Sequence, residues 1–155
     1  MKIKNFKNYK TKNPGSNLGK KSASPKNKEI STPSILIVED QSIIAMEIQD
    51  RLERLGYSVC DMVSSGEDAI TKAMEKKPHL ILMDIRLRVE MDGIESARQI
   101  KEKLDDVSVI YLTSYMDKET IKRAKISELY EYILKPFEEQ ELQNKIETTL
   151  SKIKS

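Results

Sequence analysis

Leu80-Ile81-Leu82-Met83-Asp84 decides how this chain folds. Four apolar residues follow one another without alternation and end on a carboxylate, as in a strand buried on both faces whose last residue emerges at a sheet rim. Ile35-Leu36-Ile37-Val38, closed by Glu39-Asp40, repeats the pattern. So do Val107-Ser108-Val109-Ile110-Tyr111-Leu112, closed by Thr113-Ser114, and Tyr130-Glu131-Tyr132-Ile133-Leu134, closed by Lys135-Pro136. Tyr57-Ser58-Val59-Cys60 reads as one further, short strand.

Between these runs the apolar residues fall at helical spacing. Ala45, Ile48, Leu52 and Leu55 share a face, and Gly56 stands where a helix ends. Ser65-Gly66-Glu67-Asp68 opens a second helix carrying Ala69, Ile70, Ala73 and Met74, which Pro78 stops. Ile94, Ala97, Ile100 and Leu104 mark a third, Lys118 to Lys125 a short fourth, and Leu142, Ile146, Leu150 and Ile153 a last helix from about Phe137 to Ile153. Five strand-then-helix alternations predict an α/β fold: a doubly wound parallel sheet with helices on both faces, joined by right-handed crossovers. The last helix runs to the end of the sequence, so a single-domain protein without a DNA-binding output domain is expected.

Upstream of Ser34 the composition changes. Residues 1–33 hold nine lysines against Glu29, a net charge of +8, whereas the remainder carries 18 basic and 24 acidic residues, a net of −6. The segment is rich in Lys, Asn, Ser, Gly and Pro and its few apolar residues keep no period, so it reads as a disordered basic tail on a domain spanning residues 34–155. Having no arginine and no amphipathic face, it makes a poor nucleic-acid or lipid-binding arm. No stretch approaches the ~20 apolar residues of a membrane span, and no apolar run behind the first lysines resembles a secretory signal, so a cytoplasmic setting is expected. Cys60 is the single cysteine and His79 the single histidine, which excludes an internal disulfide and multi-cysteine or multi-histidine metal centres. His79 reads as a strand-edge residue, Cys60 as a small buried group, and the seven methionines as core filler.

In an open parallel sheet, ligands bind beyond the carboxyl ends of the strands. Any parallel arrangement therefore places Glu39, Asp40, Asp84, Thr113, Ser114, Lys135 and Pro136 on one rim. Three carboxylates there repel one another and stay ionised only with positive charge between them. Lys135 supplies part of it, and an oxygen-seeking divalent cation such as Mg²⁺ the rest. A carboxylate, a hydroxyl, a lysine and Mg²⁺ are the parts needed to move a phosphoryl group onto an aspartate by positioning and charge neutralisation.

Glu39-Asp40, Asp84, Thr113-Ser114, Tyr132 and Lys135-Pro136, each tied to its own strand, resemble the signature of response regulator receiver domains of two-component systems. The resemblance covers Ser34 to Ile153. It implies a flavodoxin-like fold with strand order 2-1-3-4-5, in which Asp84 accepts phosphate from a sensor histidine kinase or a histidine phosphotransfer protein. It further implies that Glu39, Asp40, Asp84 and the backbone carbonyl of Arg86 hold Mg²⁺. Lys135, Thr113 and Ser114 would contact the phosphoryl group, and Tyr132 would change rotamer with Thr113. The Lys135-Pro136 bond would be cis, and Gly93, within Met91-Asp92-Gly93, would permit a tight approach of the chain. Such a protein is not a turnover enzyme, though it assists its own phosphorylation and dephosphorylation. It signals to a separate downstream effector, without a membrane partner. The resemblance also allows a homodimer through the surface of the Lys118–Lys125 helix and the last strand.

Two other classes of function fit the residues less well. A phosphatase of the haloacid-dehalogenase type places a second aspartate two residues after its nucleophile, where this chain has Arg86. A receiver-like module without phosphorylation commonly lacks the acidic pair, the aspartate or the lysine, and this chain keeps them all.

Overall fold

The computed structural model describes residues 32–87, 91–114, 119, 122 and 131–154, with the side chains of 153 and 154 left aside. Most of the basic tail, the helix expected over Lys118 to Lys125 and Tyr130 lie outside the described residues. Five strands are present: β1 (Ser34–Val38), β2 (Ser58–Val63), β3 (Leu80–Asp84), β4 (Ser108–Ser114) and β5 (Tyr132–Lys135). Four helices are delimited among the described residues: α1 (Ser42–Arg54), α2 (Gly66–Lys76), α3 (Gly93–Lys103) and α4 (Glu139–Lys154). The sheet is parallel throughout, in the order β2-β1-β3-β4-β5.

The uninterrupted apolar runs are explained by two cores, one on each face. Successive side chains of a strand point to opposite faces. Leu36, Val38, Ile81, Met83, Val109 and Tyr111 pack with Ala69, Ala73, Ile94, Ala97 and Ile100 from α2 and α3. The alternate residues Ile35, Ile37, Leu80, Leu82, Ile110, Leu112 and Ile133 pack with Ala45, Ile48 and Leu52 of α1 and Leu142, Ile146 and Leu150 of α4. Burial on both faces leaves Ile35–Val38 of β1 and Leu80–Met83 of β3 entirely apolar until the rim is reached.

The helices begin and end on identifiable signals. Ser65 Oγ accepts from the Asp68 backbone N–H at 3.1 Å and caps α2, and Asp92 Oδ1 accepts from the Glu95 N–H at 3.0 Å to cap α3. Gly56, one residue past the end cap of α1, has φ 93°, the left-handed conformation that favours glycine. His79 is exposed at the foot of β3, where its Nδ1 accepts from the Ser34 N–H at 3.0 Å.

Three details depart from the sequence expectation. β2 starts one residue later and runs to Val63, because a bulge interrupts it: Ile35 pairs with Val59 but Leu36 with Asp61, leaving Cys60 as the extra residue. Cys60 is accordingly half-buried against the α2–α3 core, not enclosed. The methionines are not all core: Met83 is fully buried, but Met46 is 59% exposed on the outer face of α1 beside Ile43, itself 73% exposed. α1 buries one stripe only, and both residues lie off it.

Gly93 sits at a close approach of two chain segments. Its N–H donates to the Ile85 carbonyl at 3.0 Å, and a Cβ there would stand 2.3 Å from the backbone carbonyl oxygen of Asp84 and 3.0 Å from the Ile85 Cα. Relief requires moving the backbone that carries Asp84. Gly93→Ala is therefore expected to lower stability by about 3 kcal/mol. Urea unfolding of the two proteins measures it, and an unchanged midpoint would contradict the contact.

Candidate functional site

Strand register assembles the rim. Val38 pairs with Met83, so Glu39 and Asp84 emerge side by side one residue later. Asp84 pairs with Leu112, and Ser114 with Lys135. Parity does the rest: Glu39, Asp84, Ser114 and Lys135 continue the alternation of Ile37, Leu82, Leu112 and Ile133, and so lean toward the α1–α4 face. Thr113 and Tyr132 have the opposite parity and continue the face of Val109 and Tyr111.

The result is a polar basin of about 410 Å³ lined by Asp40, Gln41, Asp84, Arg86, Leu87, Thr113, Ser114 and Lys135. Glu39 is 2% exposed, Asp84 5% and Thr113 1%. Glu39, Asp40 and Asp84 each present a carboxylate oxygen, and the three oxygens lie within 4.8 Å of one another. Lys135 Nζ stands 3.6 Å from Glu39 Oε1 and 3.8 Å from Asp84 Oδ1. Two backbone N–H groups also serve the acids: Gln41 donates to Glu39 Oε2 and Arg86 to Asp84 Oδ1, both at 3.1 Å. Pro136 follows Lys135 through a cis bond.

One lysine does not balance three acids. Burial first, and then the adjacent Asp84 charge, push the Glu39 carboxyl up to about 7. Burial also raises Asp84, opposed by Lys135 and the Arg86 N–H. Glu39 Oε1 is buried with no hydrogen-bond donor reaching it among the described residues. These are the marks of a cation site. An all-oxygen donor set without histidine or cysteine suits Mg²⁺, whose octahedral ligand oxygens are separated by about 3 to 4 Å at its bond length of about 2.1 Å. The residues present fit that ion.

Six of the expected site residues therefore converge: Glu39, Asp40, Asp84, Thr113, Ser114 and Lys135. Arg86 joins through its backbone while its side chain is exposed. Gly93 acts from beneath, against the Asp84 carbonyl. Tyr132 does not line the basin. It lies half-buried against the α2–α3 core and borders a separate groove with Glu141, Lys145 and Thr148. Gln41 and Leu87 belong to the basin although nothing in their residue types signalled it.

A family model for the response regulator receiver domain matches residues 35–147. The chain belongs to this family. Among curated relatives, the receiver is 41% identical over 104 residues to the response regulator protein VraR of Staphylococcus saprophyticus, covering 65% of this chain and 48% of that protein. It is 29% identical over 120 residues to the transcriptional regulatory protein PdtaR of Mycobacterium tuberculosis, covering 77% of this chain and 58% of that one. This receiver thus spans about half the length of the curated relatives it matches. Among solved structures, the signal receiver domain of a modulated diguanylate cyclase from Desulfovibrio desulfuricans G20 superimposes with a TM-score of 0.74 at 35% identity, covering 79% of this chain and 97% of that one. The fold and strand order expected from the resemblance are those observed. Among the described residues no helix is long and apolar enough to cross a membrane.

The raised Glu39 carboxyl gives the metal-free receiver a defined pH response. A carboxyl whose folded pKa lies above its unfolded value contributes stability below the unfolded value, near 4.5, and loses it as pH rises through about 7. Glu39→Gln should remove that loss. In excess chelator the variant is expected to melt higher than the parent at pH 8 by several degrees, with the gap closing toward pH 4. A pH-independent difference would show that Glu39 is not held in this environment.

Proposed function

We propose that this receiver accepts a phosphoryl group on Asp84 from the phosphohistidine of a sensor kinase or histidine phosphotransfer protein. The observation that carries the proposal is the convergence of Glu39, Asp40, Asp84 and Lys135 on one buried rim. A carboxylate oxygen of Asp84 attacks phosphorus while the P–N bond breaks, its electron pair leaving on the imidazole nitrogen. The product is an acyl phosphate on Asp84.

The chain's residues divide the remaining work. Glu39, Asp40, Asp84 and the Arg86 carbonyl would hold Mg²⁺, which when bound neutralises charge on the transferring phosphoryl oxygens. The Lys135 ammonium pairs with those oxygens once they arrive, and the Thr113 and Ser114 hydroxyls donate to them. The Arg86 N–H orients the Asp84 carboxylate. Arg86, not a second aspartate, stands two residues beyond Asp84, which supports a phosphoacceptor that switches state over a turnover phosphatase.

Phosphorylation then shifts a two-state equilibrium, and a partner must bind one state better. β4 carries the change outward: Thr113 faces the phosphate while its own strand pairs with β5, where Tyr132 sits. The proposed setting is the cytoplasm, the proposed targets a separate effector protein, and the route a rearranged surface around β5.

Incubation with Mg²⁺ and a small-molecule phosphodonor should add one acid-labile phosphate, seen by mass spectrometry, and none in Asp84→Asn. Phosphate retained in that variant would reject the assignment. Millimolar Mg²⁺ alone should raise the melting temperature of the parent, because a ligand that binds only the native state stabilises it. Asp40→Asn should abolish most of that rise, and an unchanged rise would remove Asp40 from the metal set.

A further inference from the structure

The lysine of the site is held from outside the sheet. β5 is only four residues long and lies at the sheet edge, with β4 on its inner side. Just beyond it the chain turns through Pro136 and Phe137 into α4. Arg51 of α1 reaches into that turn with two different contacts. Its Nη1 donates to the Phe137 carbonyl at 2.9 Å, and its guanidinium carbon lies 5.3 Å from the centre of the Phe137 ring. Three residues further along α1, Arg54 Nη2 meets Glu139 Oε1 at 2.9 Å in the first turn of α4.

The opposite end of α1 begins two residues after Asp40. One helix of about 20 Å thus connects the exit of the acidic pair to the turn behind Lys135. Lys135 has a flexible four-carbon stem, and its ammonium stands 3.6 and 3.8 Å from its two acids, a charge contact without short hydrogen bonds. Those partners do not fix it. The reach of the ammonium therefore depends also on the backbone that carries it, which β4 holds through the pairing of Ser114 with Lys135 and which Arg51 braces two residues further on, at Phe137.

We propose that Arg51 is a positioning residue for Lys135: by gripping the carbonyl and ring of Phe137 it sets where the ammonium meets an incoming phosphoryl group. The inference rests on the assignment of Lys135 as a phosphoryl-binding group. A guanidinium can bond the carbonyl and stack on the ring together, whereas a lysine at the same place could do only the first well.

The test is a double-mutant cycle in the full chain, read as affinity for beryllium fluoride in saturating Mg²⁺ by calorimetry. Mg²⁺ affinity alone and the urea midpoint are measured beside it. Arg51→Leu should weaken beryllium fluoride binding about tenfold while leaving Mg²⁺ affinity within about twofold, and Arg51→Lys should fall between it and the parent. In a Lys135→Ala background, Arg51→Leu should have no further effect, since nothing remains to be positioned.

Equal losses for Mg²⁺ and beryllium fluoride, or a full additional loss on top of Lys135→Ala, would make Arg51 a general structural support and overturn the proposal. So would unchanged beryllium fluoride binding in Arg51→Leu. If Lys135→Ala itself leaves beryllium fluoride binding intact, the assignment of Lys135 fails and takes this inference with it. That result is distinguishable from the others because it appears in the single variant. Should Arg51→Leu fold poorly, the cycle run with Arg51→Lys decides by the same criterion.

Discussion

The crowding of two buried carboxylates and a half-buried third is the constraint around which this domain is built. Glu39, Asp40 and Asp84 bring oxygens within 4.8 Å of one another in a place where water cannot fully screen them. Left alone, the cluster keeps a proton more readily: burial first, and then the Asp84 charge, push the Glu39 carboxyl up to about 7. A cation or a phosphoryl group with its counter-charges resolves the same conflict differently. The free energy that folding leaves unresolved at this rim is thus available to binding, and the two cores beneath must be rigid enough to hold the charges together.

That rigidity comes from a sheet whose strands β1 and β3 bury the uninterrupted apolar runs Ile35–Val38 and Leu80–Met83. The same property made the fold legible in the sequence. Continuous runs such as Ile35–Val38 and Leu80–Met83 mark doubly covered parallel strands, and the first polar residue after each marks the rim. The register that sets Glu39 beside Asp84 follows from the hydrophobic pattern, because a slip by one residue would bury a carboxylate in a core.

What the sequence left hidden depends on geometry between elements. The bulge at Cys60 follows from how β2 meets β1, and a run containing Asp61 and Cys60 gives no local sign of it. Met46 and Ile43 look like core residues by type, yet the helical stripe that turns inward is set by Ala45, Ile48 and Leu52. Tyr132 shares the face of Thr113, but it lies on the neighbouring strand two positions back from the rim and borders a separate groove, which motif spacing alone does not reveal. Arg51 and Phe137 are separated by 86 positions, and no spacing rule links a helix arginine to a carbonyl in a distant turn.

The irregularity in β2 has a consequence for the molecule's company as well as for its shape. β2 is an outer strand, and a straight outer strand offers its free amide and carbonyl groups as a template for neighbouring chains. The extra residue at Cys60 kinks that ladder and twists the edge away from a regular template. At this edge the protein is thereby discouraged from growing its sheet into an intermolecular one.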